Sequence, residues 1–210
     1  MASTDDTSMP LLIVFARALE AGRVKTRLIP DYGEEGALQL YRLLLTRTLA
    51  AASQFPGQVA LWLDREDPEL AALAAANGWE CRLQEGDDLG EKMALALHHG
   101  LGQAERVLLV GSDCVLLDRP YFDQALRALS SAPVVMGPSE DGGYVLIGSA
   151  CRDLWHRQRF QGVRFGGEHA LADSVARFPE EQVARLPVLW DVDTREDVVR
   201  AQSCGFLPSP

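Results

Sequence analysis

Carboxylate side chains follow several apolar runs of the sequence, at points where predicted strands end. Asp113 comes after an apolar run and a Gly-Ser turn, and Asp141 lies in a later turn. Asp191 and Asp193 follow the last long apolar segment. Hard carboxylate oxygens suit Mg²⁺ or Mn²⁺, which are held by one or two carboxylates together with substrate phosphates. The acidic residues therefore predict a divalent-metal site, provided that the strands bring them to one edge of a sheet.

Each of these acidic residues also has a purely structural interpretation. Asp113 could cap the turn that follows its strand. Asp141 belongs to an Asp-Gly-Gly segment, which is common in turns. Asp193 and Glu196 have the spacing of a helix N-terminal capping pair. Residue types leave these alternatives open, and only the spatial arrangement decides between them.

A basic segment follows the first apolar run of the chain. Its cationic side chains are Arg17, Arg23, Lys25 and Arg27, and Gly22 permits a tight bend among them. Cations and backbone N–H groups at the end of a strand can hold a diphosphate. A polyanionic ligand needs compensating positive charge, and a metal ion would supply it where the carboxylates otherwise repel one another. The alternative is an ordinary solvated basic surface.

The elements that must position these residues alternate between apolar runs and helical patterns. Strands are predicted at 11–15, 58–63, 79–83, 107–110, 133–137, 145–148 and 183–190, and helices at 33–53, 68–77, from the loop 85–92 to about 101, at 118–128, 152–158 and 168–178, and finally to about 204.

This alternation predicts an α/β fold with a mostly parallel sheet and helices on both faces, interrupted by a hairpin-like segment around residues 138–144. The unbroken apolar run 107–110 is typical of a central strand buried on both faces. Such a strand delivers Asp113 to the carboxyl edge of the sheet, where open α/β folds bind ligands. We expect one domain over residues 10–207, preceded by a disordered tail at residues 1–9.

Composition excludes several classes of function. The 210-residue chain has a formal net charge of -10, so nucleic acid is not an expected partner, because binding to phosphate backbones needs a basic face. No apolar run approaches the roughly 20 residues of a membrane span, and the polar N-terminus is unlike a secretion signal. We therefore expect a cytoplasmic protein.

The cysteines are widely spaced, at Cys81, Cys114, Cys151 and Cys204, and form no Cys-x-x-Cys pair. They are expected to be reduced thiols, and Cys114 to be a small buried residue rather than a nucleophile. The sequence also contains no dinucleotide-binding glycine fingerprint, no Walker motif and no nucleophile elbow. These absences argue against a dehydrogenase, a P-loop NTPase and an α/β-hydrolase.

A set of short motifs along the chain resembles a bacterial family of glycosyltransferase-A-like (GT-A) proteins in the nucleotide-diphospho-sugar transferase superfamily. The motifs occur in the expected order, at Phe15–Arg17, Gly22–Leu28, Asp88–Met93, Gly111–Cys114, Gly137–Tyr144 and Asp191–Thr194. The family is also similar to 2-phospholactate guanylyltransferases and, more distantly, to molybdenum cofactor guanylyltransferases. Phe165–Gly167 departs from the Trp-containing segment that is typical of the family.

The resemblance implies a three-layer α/β/α sandwich of the GT-A type and a nucleotide-diphosphate ligand. It implies that Asp113 binds the metal, that the Arg23–Arg27 loop meets the phosphates, and that Leu89 and Gly90 lie near the base or ribose. It further implies that Asp141–Tyr144 faces the sugar or the acceptor.

Together, these considerations give a complete set of candidate site residues. The predicted catalytic residues are Asp113, Asp141 and Asp191, and the predicted metal ligands are Asp113 and Asp193. The predicted nucleotide-binding residues are Ala16, Arg17, Gly22, Arg23, Lys25, Arg27, Leu89, Gly90, Lys92 and Ser112. Gly142, Gly143 and Tyr144 are the predicted substrate-binding residues.

Three functions are compatible with this set. The first is a glycosyltransferase that uses Mg²⁺ or Mn²⁺, takes a nucleotide-sugar donor and serves an unidentified small-molecule acceptor. The second is a nucleotidyltransferase, in which an acceptor phosphate attacks a nucleoside triphosphate and pyrophosphate leaves. The third is a nucleotide-binding module without catalysis, since a fold does not fix a function.

Overall fold

The structure is a computed structural model that describes residues 9–208. Its strands are β1 (Leu11–Ala16), β2 (Gln58–Leu63), β3 (Glu80–Leu83), β4 (Val107–Val110), β5 (Val134–Pro138), β6 (Tyr144–Ser149) and β7 (Val183–Arg185). Its helices are α1 (Ile29–Ala52), α2 (Pro68–Ala76), α3 (Leu89–Gly100), α4 (Arg119–Ala128), α5 (Ala170–Val175) and α6 (Arg195–Ser203). The predicted disordered tail, apart from Met9, lies outside the described residues.

The strands form one mixed sheet in the order β3-β2-β1-β4-β6-β5-β7. Strand β6 runs antiparallel to both of its neighbours, and every other pairing is parallel. The hairpin-like interruption predicted from the sequence is therefore the β5–β6 turn. Because β1, β4, β5 and β7 point the same way, their carboxyl ends share one edge of the sheet.

Helices cover both faces of this sheet, which confirms the predicted three-layer α/β/α sandwich. Alternate residues of β1 serve the two cores: Leu12 and Val14 pack with α1, α2 and α4, whereas Ile13 and Phe15 pack with α3 and α5. Burying an aliphatic or aromatic side chain of this size contributes roughly 1.5–3 kcal/mol. The strand is thus fixed from both sides, and the loop that follows it starts from a rigid point.

The first helix starts earlier than the sequence predicts. Element α1 begins at Ile29, but Gly33 has φ 70° and ψ 171°, which interrupts the helical conformation. The predicted start at Gly33 therefore marks this interruption. The buried side chains of α1, including Tyr41 and Leu45, lie beyond it.

The predicted helices at 152–158 and 168–178 are wrong in extent. The first is only a 3-10 turn over Arg152–Leu154, after which Trp155 is buried in an aromatic cluster with Phe160 and Phe178. The second is reduced to the short helix α5. Packing of these large rings determines the path of the chain here, and local helical pattern does not.

The predicted strand 183–190 is also shorter in the structure. Leu186 still donates its N–H to the Met136 carbonyl, but Pro138 of β5 has no N–H to donate back to Leu186, so the ladder of β7 ends. Pairing resumes only as an isolated bridge between Ser139 and Leu189. The chain reaches the acidic segment 191–193 as a loop held against β5.

Candidate functional site

The loops that follow β1, β4, β5 and β7 surround one cleft of about 500 Å³ at the carboxyl edge of the sheet. Predicted site residues that line it are Arg17, Lys25, Arg27, Leu89, Ser112, Asp113, Asp141, Gly143, Tyr144, Asp191 and Asp193. These residues are separated by up to 176 positions in the sequence numbering, between Arg17 and Asp193. The parallel strands therefore bring the acidic turns and the basic loop together.

Three carboxylates converge at the centre of this cleft. Asp113, Asp191 and Asp193 each present an oxygen, and these atoms lie within 4.8 Å of one another. A backbone hydrogen bond from the Val192 N–H to the Asp113 carbonyl, 3.1 Å long, ties the two acidic segments to each other. The purely structural interpretation of Asp113 as a turn cap does not account for this convergence.

Lys25 lies between two of these carboxylates. Its ammonium donates to Asp113 Oδ2 at 3.0 Å and to Asp193 Oδ1 at 2.7 Å, and its side chain is only 7% exposed. Burial by itself would lower the pKa of Lys25, but the charges of Asp113 and Asp193 raise it above the ordinary lysine value. The ammonium is therefore a fixed positive charge inside the acidic cluster.

Arg27 reaches the same cluster from the solvent side. Its guanidinium donates to Asp193 Oδ2 at 3.0 Å and to the carbonyl of Gly166 at 3.2 Å. Burial opposes ionisation of Asp193, yet the Lys25 and Arg27 cations hold the pKa of its carboxyl below the usual range. Asp193 is thus a carboxylate with a cation on each of its two oxygens.

Asp193 does not serve as the helix cap that its spacing suggested. The capping box of α6 is formed by Thr194 and Asp197, one residue later than the pair Asp193 and Glu196. Both the Thr194 and Asp193 N–H groups donate to Asp197. This shift leaves the Asp193 carboxylate directed into the cleft.

Asp191 has a different environment from its neighbours. Burial, followed by the charge of Asp113, raises the pKa of Asp191 to about 6, and a 2.6 Å hydrogen bond from Ser139 opposes this shift only in part. A carboxyl group that titrates near neutral pH is suited to accept and release a proton. Asp141 lies in the same cleft and adds to the negative charge felt by Asp191.

Tyr41, a buried residue of α1, connects the basic loop to the turn that precedes Asp113. Its hydroxyl accepts the Arg17 N–H at 2.7 Å and lies 3.1 Å from Ser112 Oγ. The side chain is buried, and burial raises its pKa, so the hydroxyl remains protonated. A polar atom at a core position of an amphipathic helix is the signal that could have identified it.

The cleft has two chemically different walls. The charged wall consists of Arg17, Lys25, Arg27, Asp113, Asp191 and Asp193, and the apolar wall consists of Phe15, Leu89, Met93, Leu109, Ile147 and Phe165. The apolar wall lies on the face of the sheet covered by α3 and α5. Leu89 is 46% exposed, so part of this wall is open to solvent. Most of the apolar wall was not anticipated from the sequence.

The chemistry of the donor set fits a divalent cation. Carboxylate oxygens from Asp113, Asp191 and Asp193 are hard ligands at mutual distances that one ion can span. The side chains of Asp113 and Asp193 are 35% and 32% exposed, so the cluster can be reached from the cleft. Lys25 and Arg27 are the two cationic side chains that contact the cluster among the described residues. They are fewer than the three carboxylates that form it.

The remaining predicted residues lie beside the cleft rather than in its lining. Those residues are Ala16, Gly22, Arg23, Gly90, Lys92 and Gly142. Arg23 forms an exposed ion pair with Glu20, and its carbonyl accepts a hydrogen bond from Arg17. Gly90 packs against Phe160 and Phe165, where a Cβ atom would lie 2.8 Å from Phe160. Arg23 and Gly90 thus contact segments that form the cleft without lining it themselves.

Gly142 is required by the β5–β6 turn. It has φ 86°, and a Cβ atom there would lie 2.4 Å from the carbonyl oxygen of Glu168. The turn therefore depends on a residue without a side chain. It holds Asp141, Gly143 and Tyr144 at the cleft.

Other predictions concern the thiols and the membrane. All four cysteines are free, and burial raises the pKa of the Cys114 thiol to about 12, so this residue is not a poised nucleophile. Within residues 9–208, no helix combines the length and apolar character needed to cross a membrane.

The sequence matches a protein family described as an uncharacterized protein conserved in bacteria (DUF2064), over residues 47–167. The chain belongs to this family. The matched region contains α3, Asp113 after β4, and the β5–β6 turn, whereas Lys25, Asp191 and Asp193 lie outside it. No curated protein matches the sequence.

Solved structures share the fold. A candidate nucleotide-diphospho-sugar transferase from Desulfovibrio desulfuricans G20 is 28% identical, with a TM-score of 0.83 over 96% of this chain and 90% of that chain. A 4-diphosphocytidyl-2C-methyl-D-erythritol synthase from Anaerococcus prevotii DSM 20548 is 16% identical, with a TM-score of 0.60 over 95% and 96% of the two chains.

A Mycobacterium tuberculosis H37Rv protein in complex with manganese is 22% identical, with a TM-score of 0.56 over 92% of this chain and 97% of that chain. The fold is thus that of nucleotide-utilising transferases.

Proposed function

We propose that this member of the DUF2064 family is a divalent-metal-dependent transferase with a nucleotide-diphosphate donor, and specifically a glycosyltransferase that acts on a nucleotide sugar. The observation that carries the proposal is the meeting of the Asp113, Asp191 and Asp193 carboxylates with Lys25 in one cleft. A metal ion and a diphosphate together would satisfy both sets of charges.

Asp113 and Asp193 are the residues that would hold Mg²⁺ or Mn²⁺, and Asp191 lies within reach of the same position. When bound, the ion would supply positive charge to the donor diphosphate as it leaves the sugar. Arg17, Lys25 and Arg27 would bind the phosphate oxygens through charge-assisted hydrogen bonds. Tyr41 would keep the backbone of Arg17 and the hydroxyl of Ser112 in place for that ligand.

Asp191 is the proposed general base toward an acceptor hydroxyl. Its carboxyl group lies in the cleft, where the Ser139 hydroxyl donates a 2.6 Å hydrogen bond to it and thereby orients it. Asp141, on the β5–β6 turn, is the other candidate for this role. Gly143 and Tyr144 would contact the sugar or the acceptor, since they lie at the same turn and line the cleft.

The nucleoside of the donor would bind against the apolar wall of the cleft. Leu89 would contact the base or ribose, with Gly90 keeping the start of α3 close to Phe160 and Phe165. Aromatic and aliphatic side chains are the usual lining of a nucleoside pocket, with a few polar groups for orientation. Lys92, in the first turn of α3, is not among the residues that line the cleft.

A sugar donor is supported by the likeness to the Desulfovibrio desulfuricans protein, at 28% identity and a TM-score of 0.83. Product analysis with Mn²⁺ tests this choice. A panel of nucleotide sugars and nucleoside triphosphates, first ranked by thermal shift with and without Mn²⁺, should include a sugar donor from which the enzyme releases free nucleoside diphosphate.

Other outcomes of the same assay would replace the proposal. Release of pyrophosphate from a nucleoside triphosphate, dependent on an acceptor phosphate, would identify a nucleotidyltransferase. Metal-dependent stabilisation by a nucleotide without turnover of any donor would identify a non-catalytic nucleotide-binding module.

A further inference from the structure

The ammonium of Lys25 lies between the two carboxylates that are the proposed metal ligands. It is 3.0 Å from Asp113 Oδ2 and 2.7 Å from Asp193 Oδ1. The lysine side chain is 7% exposed, whereas those of Asp113 and Asp193 are 35% and 32% exposed. A monovalent cation of the protein itself is thus hydrogen-bonded to the two carboxylates that a metal ion would need.

The backbone holds Lys25 in this position at a conformational cost. Its φ of 44° and ψ of 46° are left-handed, and among residues 9–208 no other residue except glycine has a positive φ. A lysine seldom adopts this conformation, because its Cβ is crowded there. The loop fold thus sets the point from which the Lys25 side chain extends, and burial and two ion pairs hold its ammonium in place.

Arg27 provides a comparison within the same loop. It also donates to Asp193, at 3.0 Å, but from the outside of the cluster and with a side chain that is 60% exposed. Arg27 does not contact Asp113. It compensates charge without filling the space between the two carboxylates.

A divalent ion held by Asp113 and Asp193 would lie close to the Lys25 ammonium, and the two cations would repel each other. If the ammonium were expelled without a new anion to bind, a buried positive charge would lose both of its partners, which is strongly unfavourable. A donor diphosphate at the adjacent loop would supply phosphate oxygens as a replacement. The carboxylates would then bind the metal ion, and the ammonium would form hydrogen bonds with the phosphate oxygens instead.

We propose that Lys25 competes with the divalent ion for Asp113 and Asp193, and thereby makes metal binding depend on the phosphate-bearing ligand. The inference rests on the proposed function and adds regulation of metal loading to it. Metal and nucleotide would then bind cooperatively, each raising the affinity for the other by the same factor, as linkage requires.

The test measures binding of Mn²⁺ alone, without any nucleotide, from the EPR signal of free Mn²⁺. Lys25→Met removes the competing charge but keeps a side chain of similar length. We expect this variant to bind Mn²⁺ about tenfold more tightly than the wild-type protein, a typical size for coupling between ligands. Far-UV circular dichroism checks that the variant is folded.

Arg27→Met is the matched control, because it also removes one positive charge from Asp193. We expect it to tighten Mn²⁺ binding by less than about threefold, as an exposed charge pair contributes little. Unchanged or weaker binding by Lys25→Met would overturn the inference. Equal tightening in the two variants would also overturn it, since the effect would then be general electrostatics.

The wild-type protein offers a second test that needs no variant. Mn²⁺ and a nucleoside diphosphate (ADP, GDP, CDP and UDP in turn) should together raise Tm by more than the sum of their separate effects. Simple additivity for a nucleotide that binds would contradict the competition. If none of the nucleotides bound but Lys25→Met still tightened Mn²⁺ binding, the proposed function would fail while the competition stood.

Discussion

The two walls of the cleft differ in how their side chains are held. On the charged wall, ion pairs and hydrogen bonds fix the groups: Lys25 joins Asp113 to Asp193, and Ser139 binds Asp191. On the apolar wall, side chains such as Met93 and Leu109 are held by packing in the core between the sheet and α3. We infer that the charged wall is assembled to bind phosphate and metal, and that the apolar wall provides a shaped surface for a nucleoside.

Among substitutions in the two walls, we expect the largest effect on ligand binding at Asp113. Asp113→Ala should abolish Mn²⁺-dependent nucleotide binding. Loss of a residue that only supports a metal ligand can weaken metal binding roughly 100-fold, so loss of a ligand itself should weaken it by at least as much. The fold should remain, because the side chain lies at a strand end and is 35% exposed. Isothermal titration calorimetry with and without Mn²⁺ measures the effect.

Asp123→Ala is the control, since Asp123 is an acidic residue of α4 that pairs with Arg119 away from the cleft. It should bind nucleotide as the wild-type protein does. Undiminished Mn²⁺-dependent binding by Asp113→Ala would show that the metal role of this residue is wrong.

A smaller effect is expected where the charged wall depends on Tyr41. Tyr41→Phe removes the hydroxyl that accepts the Arg17 N–H and contacts Ser112. Leaving such buried groups unpaired costs about 1–3 kcal/mol, so we expect nucleoside diphosphate affinity to fall about tenfold. Competition binding with a fluorescent nucleotide measures it.

Tyr121→Phe serves as the control for that experiment. Tyr121 is also buried, and its hydroxyl donates to the Pro187 carbonyl at 2.9 Å, outside the cleft lining. It should lower Tm without changing nucleotide affinity. Similar affinity losses in both variants would argue that Tyr41 acts only through general stability.

On the apolar wall, the expected effect is smaller still and has a different selectivity. Leu89→Ala removes part of a half-exposed surface and should weaken binding roughly threefold. The loss should be equal for a nucleoside and its diphosphate, because the contact is with the base or ribose. Leu83→Ala, at a leucine of almost equal exposure outside the cleft lining, should have no effect. A loss confined to the diphosphate would contradict the division between the walls.

The smallest effect has the opposite sign and concerns stability. The pKa of Asp191 is raised to about 6 in the folded protein, so its ionisation opposes folding as pH rises through that value. The favourable contribution of its protonated form is fully present below the unfolded pKa of about 3.9 and is lost as pH passes 6. Asp191→Asn should therefore raise the Tm of the metal-free protein by a few degrees at pH 7 and by almost nothing at pH 4.

Asp173 gives a contrast for the same measurement. Hydrogen bonds and the charge of Arg164 hold the pKa of Asp173 below its usual range. Its contribution is present above the unfolded pKa and is lost as pH falls, so Asp173→Asn should lower Tm at pH 7. If Asp191→Asn also lowered Tm at pH 7, the unfavourable ionisation that we assign to Asp191 would be contradicted.

The fold and the central site residue could be predicted because they depend on short-range patterns. Four apolar residues in β4 predicted a doubly buried strand, and all four are buried in the structure. Once neighbouring strands are parallel, Asp113 and the loop after β1 must meet at one edge. The distance along the chain between Lys25 and Asp193 does not matter for that argument.

The details that could not be predicted depend on contacts between distant segments. The capping box of α6 begins at Thr194 rather than Asp193, and this one-residue shift decides whether Asp193 faces the cleft. The segment around Trp155 follows aromatic packing with Phe160 and Phe178 instead of forming a helix. The hydrogen bonds of Tyr41 connect α1 to two loops, which a helical pattern does not reveal.

The most direct test of the account is the position of Mn²⁺ in a crystal of the wild-type protein with a nucleoside diphosphate chosen by thermal shift. We expect one anomalous peak bound by the carboxylates of Asp113 and Asp193, with the diphosphate beside it and the Lys25 ammonium on a phosphate oxygen. A peak elsewhere, or a diphosphate bound away from the loop that carries Lys25, would contradict it.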